Sequence, residues 1–219
     1  SANEVVEDVF TYTVSDGSLT SSAELRFTVT GLNDRPMAAN NQDAVLENGT
    51  LESAADKNLL LDDVDVDGDT LSVSALRSGS IAGTGSSGTL GESLTGLYGS
   101  LTLDSDGSYR YTANAAEALA LGEEVEDVFS YTVSDGTSSS SAELRITVTG
   151  VNDLPVAVDN VDTVPEDGEI AAVVDKSLLS NDEDVDGDVL SVTAIRVGAL
   201  DEDGASGTIG VALTGAYGT

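Results

Sequence analysis

The sequence predicts an all-β fold of tandem antiparallel β-sandwiches, one every 119 residues. Three observations predict it. Short segments rich in Val, Thr and Leu alternate apolar and polar residues at a period of two, as half-buried strands do. Gly, Asn and Asp cluster between these segments and supply the turns. One long segment also returns: EVVEDVFTYTVSDG at Glu4–Gly17 comes back as EEVEDVFSYTVSDG at Glu123–Gly136.

The offset of 119 residues then holds without insertion or deletion. Asn33-Asp34 matches Asn152-Asp153, and Pro36 matches Pro155. Asp67-Gly68-Asp69 matches Asp186-Gly187-Asp188, Lys57 matches Lys176, and Tyr98-Gly99 matches Tyr217-Gly218. A fixed period of this size means an array of immunoglobulin-sized sandwiches. The seam falls at GLNDRP (Gly31–Pro36) and its copy GVNDLP (Gly150–Pro155), where Gly, Asn, Asp and Pro halt strand pairing. Cutting there puts the closing strands of one repeat in 1–34, a complete repeat in 35–153 and the opening part of the next in 154–219. The sequence therefore reads as a window on a longer array.

Within the complete repeat, the first strand is expected near Ala38–Leu46, with a short return strand at Leu51–Ala55. Leu71, Val73 and Ala75 alternate as a third strand. Leu101 and Leu103, then Tyr109 and Tyr111, flank the turn Asp104-Ser105-Asp106-Gly107 as a hairpin. Ala115–Leu121 reads as one or two helical turns. Phe129, Tyr131 and Val133 share one face of the next strand, and Ala142, Leu144, Ile146 and Val148 share one face of the last.

Forty acidic residues against eight basic ones leave a net charge of −32. Such a surface repels nucleic acid and anionic lipid, so neither is an expected partner. No apolar run approaches the roughly 18–20 residues a membrane-crossing helix needs, so no membrane insertion is expected. Cys and His are both absent, which excludes disulfides, thiolate metal sites, Cys nucleophiles and imidazole bases. Paired carboxylates can hydrolyse glycosides. Here they sit in repeated turns with no cleft signature or aromatic platform, so the chain is read as non-catalytic.

Strand direction places the carboxylates. Let the leading pole be where the first strand begins and the trailing pole where the last strand leaves. Successive loops then alternate between poles. The loop Asp62–Asp69, the Asp104–Gly107 turn, the Asp135-Gly136 turn and the linker Asn33-Asp34 all fall at the leading pole. Glu47-Asn48-Gly49 falls at the trailing one.

The strongest motif is Asp63-Val64-Asp65-Val66-Asp67-Gly68-Asp69, with its copy Asp182-Glu183-Asp184-Val185-Asp186-Gly187-Asp188. Alternate carboxylates followed by Gly let a tight loop surround a hard cation with oxygen ligands, which points to Ca2+. The spacing matches the opening of an EF-hand loop. However, Ser74 and Thr193 stand where that loop's bidentate Glu would be, and the flanks read as strand. Weaker candidates are Asp104 and Asp106, which also make a good hairpin turn, and Asn33, Asp34, Asn152 and Asp153 at the seam. Glu47 and Glu166 are placed to reach a following linker. Asp16 and Asp135 read as plain turn residues.

The run YGSLTLDSDGSYRYTANAAEALALGEEVEDVFSYTVSDG (Tyr98–Gly136), followed by AELRITVTGVNDLP (Ala142–Pro155), resembles the VCBS repeat of giant bacterial surface proteins. Glu166–Gly168 and LLSNDEDVDGDVLSV (Leu178–Val192) resemble neighbouring cadherin-like tandem repeats. The linker Asn152-Asp153 with Pro155 is similar to that of cadherins, whose junctions calcium stiffens. One copy departs from the pattern, with Leu61-Asp62-Asp63 where the other has Ser180-Asn181-Asp182.

The resemblance implies immunoglobulin/cadherin-like modules of a secreted or cell-surface bacterial adhesin of the repeats-in-toxin type, active in biofilm and surface attachment. The function expected is therefore a calcium-stabilised stalk, its partners the neighbouring repeats of the same chain. Two alternatives stand beside it. One is a calcium-dependent carbohydrate or surface-binding module, for which Tyr98 and Tyr217 are the available aromatics. The other is a self-associating fibre subunit completed by strands from a neighbouring chain.

Overall fold

The computed structural model describes residues 2–53, 57–169, 177–200, 204–213 and 215. Ala55, Lys176 and Tyr217-Gly218, each given a place by the sequence, lie outside these residues. The chain divides into two units, Ser1–Glu117 with Gly122–Gly150, and Ala118–Leu121 with Val151–Thr219.

The first unit holds β1 (Val5–Ser15), β2 (Thr20–Thr30), β3 (Asn41–Leu46), β4 (Thr50–Glu52), β5 (Ser72–Ser78) and β6 (Ser87–Gly88). It continues with β7 (Ser93–Thr95), β8 (Ser100–Leu103), β9 (Tyr109–Thr112), β10 (Glu124–Ser134) and β11 (Ser139–Thr149). One sheet has the order β3-β11-β10-β5-β6 and the other β4-β9-β8-β7, the two layers of a sandwich. The alternating apolar residues fill the space between them: Leu101, Leu103, Tyr111, Phe129, Tyr131, Val133, Leu144, Ile146 and Val148 are all buried. Each such side chain contributes about 1.5–3 kcal/mol by leaving water. Tyr111 and Phe129 meet edge to face, ring centroids 6.1 Å apart.

Three expectations are corrected. The sheets are not wholly antiparallel: β3 runs parallel to β11, with Leu144 opposite Asn41 and Thr149 opposite Leu46. Both strands run from leading to trailing pole, so neighbours from the two ends of the repeat must pair in parallel. The third strand does not keep a simple alternation either. Its pairing with β10 slips between Thr132 and Val133, a bulge that puts Leu76 rather than Ala75 on the core side. Finally, Ala115–Leu121 forms turns and not a helix. Its Ala116 and Leu119 are buried individually, and a segment this short before Gly122 cannot offset the cost of helix nucleation.

One buried polar group organises this core. Asp127 is 1% exposed, and its carboxylate accepts hydrogen bonds from the amides of Leu97 (3.0 Å), Tyr98 (3.1 Å) and Gly99 (3.2 Å) and from the Tyr111 hydroxyl (2.9 Å). It thereby ties the β7–β8 turn to β10. Burial, and then the Asp127 charge, push the Tyr111 hydroxyl well above its ordinary pKa.

The β1–β2 hairpin repeats the β10–β11 pairing residue for residue. Phe10 faces Leu25 as Phe129 faces Leu144. Its surroundings differ. Among the described residues β1 pairs with β2 alone, and all positions of both strands are exposed.

The second unit contains β12 (Ile195–Arg196) paired with β13 (Ser206–Gly207), and a bridge between Val156 and Glu183 that copies Met37–Val64 of the first unit.

Candidate metal centre

The acidic loop is shaped by hydrogen bonds to its own backbone. Asp65 Oδ1 accepts from the amides of Asp67 (2.9 Å) and Asp69 (3.3 Å), and the Gly68 amide donates to the Asp65 carbonyl (3.3 Å). Gly68 has φ +81°, a left-handed conformation that closes the loop and that other residues resist. Alternation does the rest. Asp65, Asp67 and Asp69 each bring a carboxylate oxygen within 4.8 Å of the other two. Val64, between the acidic positions, bridges to Met37 and holds the loop against the incoming chain.

Asp63 lies at the base of this loop. Its Oδ1 accepts from the Ala39 amide at 2.7 Å, while its Oδ2 and the Oδ2 of Asp65 are shielded from solvent without a hydrogen-bond donor. Burial raises the Asp63 pKa, the Ala39 amide opposes it, and the neighbouring Asp62 charge adds to the rise. Carboxylate oxygens held together and shielded without donors are a fit for a hard divalent cation, which takes oxygen ligands only.

The linker joins this loop. The Asp34 amide donates to Asp67 Oδ2 at 2.6 Å, and Asn33 Nδ2 donates to Asp135 Oδ2 at 3.0 Å and Ser138 Oγ at 3.3 Å. The amides of Ser138 and Thr137 also donate to Asp135. Ser138, then the Asn33 side chain, then Thr137 hold its carboxyl below the ordinary range. Asp135, which reads in sequence as a turn, is thus also a linker anchor; the turn signal alone conceals this.

The second unit repeats the arrangement. The Asp153 amide donates to Asp186 Oδ2 (2.7 Å), the Val158 amide to Asp182 Oδ1 (2.8 Å) and the Asp188 amide to Asp184 Oδ1 (3.1 Å). Gly187 has φ +75°. Asn152 donates to the Asp153 carbonyl (2.8 Å), and Asp153 Oδ2 is shielded without a donor.

Other candidates are placed apart. Asp106 is consumed by its own turn, its Oδ1 accepting from the Ser108 hydroxyl and amide, which lower its pKa in that order. The Asp104–Gly107 turn is nevertheless tied to the chain on either side of the acidic loop, through Leu59 to Gly107 and Val73 to Ser105. Its carboxylates do not join the close group of Asp65, Asp67 and Asp69. Glu47 is buried at the trailing pole, its amide donating to the Thr149 carbonyl (2.9 Å). Glu166 is exposed beside Asp167, whose φ of 62° copies that of Asn48 at 59°. Tyr98 is half-buried, and its amide is held by Asp127.

Residues 33–150 match the model of the bacterial cadherin-like domain. The chain belongs to the bacterial cadherin-like domain family. Beyond its cadherin-like repeat, residues 152–217 match a bacterial Ig domain. Domains of these two kinds are typical of extracellular or surface proteins. None of the curated proteins matches the chain.

Among solved structures, the endo-fucoidan hydrolase MfFcnA4 from glycoside hydrolase family 107 is 22% identical with a TM-score of 0.33, over 67% of this chain and 19% of that one. Drosophila N-cadherin EC1-4 is 13% identical with a TM-score of 0.38, over 71% of this chain and 36% of that one. The cadherin-like chain spans about a fifth of the length of the hydrolase chains it matches. No described helix is long and apolar enough to cross a membrane.

Proposed function

We propose that this chain is a non-catalytic stalk segment of a secreted or surface-exposed bacterial adhesin of the VCBS and repeats-in-toxin kind, and that Ca2+ stiffens it where linker meets repeat. The observation that carries this reading is the convergence of Asp65, Asp67 and Asp69 on one loop whose Asp67 also holds the linker amide of Asp34. Asp65, Asp67 and Asp69 would hold the ion, with Asp63 beside them and Asp184, Asp186 and Asp188 in the corresponding places of the second unit. The ion would supply positive charge to carboxylates that otherwise repel. The chain's own residues do the mechanical part: Asp67 and Asp135 hold Asn33 and Asp34, so ordering the loop orders the linker. A net charge of −32 strengthens the case, since a long array of such repeats needs cations to counter its self-repulsion.

The test is calcium titration by calorimetry, with small-angle scattering of the same samples. Binding is expected at about 10⁻⁴–10⁻³ M. Particles in calcium should be longer and stiffer than in chelator, and the double substitution Asp65→Asn with Asp67→Asn should abolish both effects. No binding at millimolar calcium, or an unchanged scattering profile on binding, refutes the stalk reading.

A further inference from the structure

Where β5 leaves the larger sheet, the sandwich of the first unit holds a hollow of about 500 Å³. It lies between the loop that follows β5 and the turn that follows β7, against β10 and β11, and shares no residue with the metal centre. Both walls are fixed. The Arg77 guanidinium donates to the carbonyls of Ser80, Ile81 and Gly83, and the Ile81 amide donates to Glu143 Oε1 at 2.8 Å. The Gly79 amide ties the same loop to the Val128 carbonyl at 2.7 Å. Opposite, Asp127 holds the amides of Leu97 and Gly99, and a Cβ on Gly96 would lie 2.3 Å from its Oδ2, so only glycine lets that turn lie so close. A ligand entering here has no loop to order, which spares the largest cost of binding to flexible surfaces.

The charges that line the hollow are already spent. Arg145 is bonded on one side by Glu126 and on the other by Glu143, and Asp127 accepts from four donors. An ion would meet no unpaired counter-charge, and an anion would also face the net charge of −32. What the lining does offer is hydroxyls, from Ser78, Ser80, Thr84 and Thr95, beside apolar surface from Val128 and the exposed Leu97. The repeat separates scaffold from lining. Arg196 holds the carbonyls of Ala199 and Leu200 as Arg77 holds those of Ser80 and Ile81, so the clamp is present in both copies. The hydroxyls are not: Val197, Ala199 and Asp203 stand at the places of Ser78, Ser80 and Thr84. The fold therefore does not require them.

We propose that this hollow is a binding site for an uncharged saccharide. A sugar ring carries hydroxyls around its edge and C–H groups on its faces, which matches four Ser and Thr side chains beside Val128 and Leu97. The volume lies within the range of about 300–1,000 Å³ usual for small-molecule sites. The contacts are hydrogen bonds between neutral groups that both partners otherwise make with water, and no aromatic ring lines the hollow. The dissociation constant is accordingly weak, about 0.1–10 mM.

Saturation-transfer NMR on the whole chain with calcium present tests this, with cellobiose, maltose and lactose as neutral probes and galactose 6-sulfate as the anionic one. At least one neutral disaccharide should receive saturation, and the sulfated sugar should not. Titrating the strongest binder should move the amide signals of 78–84, 95–97 and 127–128. The double substitution Ser78→Val with Ser80→Ala installs the residues that the second unit carries at those places, and should weaken binding about tenfold. Ser80→Ala alone, at a half-buried loop position, should weaken it about threefold. The proposal is overturned if no neutral disaccharide binds, if the sulfated sugar binds as well as the neutral ones, if the shifts centre elsewhere, or if both variants bind as the unsubstituted chain does.

Discussion

Replacing Asp127 with alanine removes the acceptor for three backbone amides and one tyrosine hydroxyl in a site closed to water. A buried donor left without a partner costs about 1–3 kcal/mol. Taking the low end for each of the four donors, because the β7–β8 turn can relax towards solvent, gives a loss of about 4 kcal/mol. That is a large fraction of a small domain's stability. Equilibrium urea unfolding followed by tyrosine fluorescence measures it, and with a slope of about 2 kcal/mol/M the midpoint should fall by about 2 M. If Asp127→Ala costs less than about 1 kcal/mol, the carboxylate is not the pin described.

Two further outcomes follow from the same core. A Cβ added at Gly99 would lie 2.3 Å from the Thr112 carbonyl oxygen and 2.5 Å from the Tyr111 hydroxyl, so Gly99→Ala should cost about 3 kcal/mol, seen as a lowered melting temperature. Asp43 links the sheets: burial raises its pKa, but Lys57 (2.8 Å), the Ala44 amide and the Tyr109 hydroxyl (2.9 Å) together bring it below 3.8. A lowered folded value means its contribution is complete above the unfolded pKa and is lost as pH falls through the folded one. Asp43→Asn should therefore cost about 1–2 kcal/mol at neutral pH. The gap from the unsubstituted chain should narrow in acid below pH 3.8, and a gap constant from pH 7 downwards would contradict this assignment.

Much of the site can be read from residue order because its ligands are local. Asp63 to Asp69 are consecutive alternating acids around a turn glycine, and a loop that short leaves few ways to arrange them. The link from Asn33 to Asp135 spans 102 positions, so it needed the strand directions, and Asp135 itself looked like any Asp-Gly turn. Asp127 could have been found. Counting back in twos from Val133 through Tyr131 and Phe129 reaches it, an acid on the buried face that the repeat copies at Asp8. The helix expected at Ala115–Leu121 failed because residue preference is weak over so few positions, and burial of Ala116 by itself suited the sandwich better.

By itself the sequence determined the period, the strands, the turns and the acidic loops, since all of these depend on neighbours within a few residues or on direct comparison of two copies. Only the tertiary structure decided which strands lie side by side, and in which direction. It also decided where the bulge re-aims β5. The physical reason is that burial belongs to a pair of surfaces. A strand's alternation says it has an apolar face, and only the packing of distant segments says what that face meets.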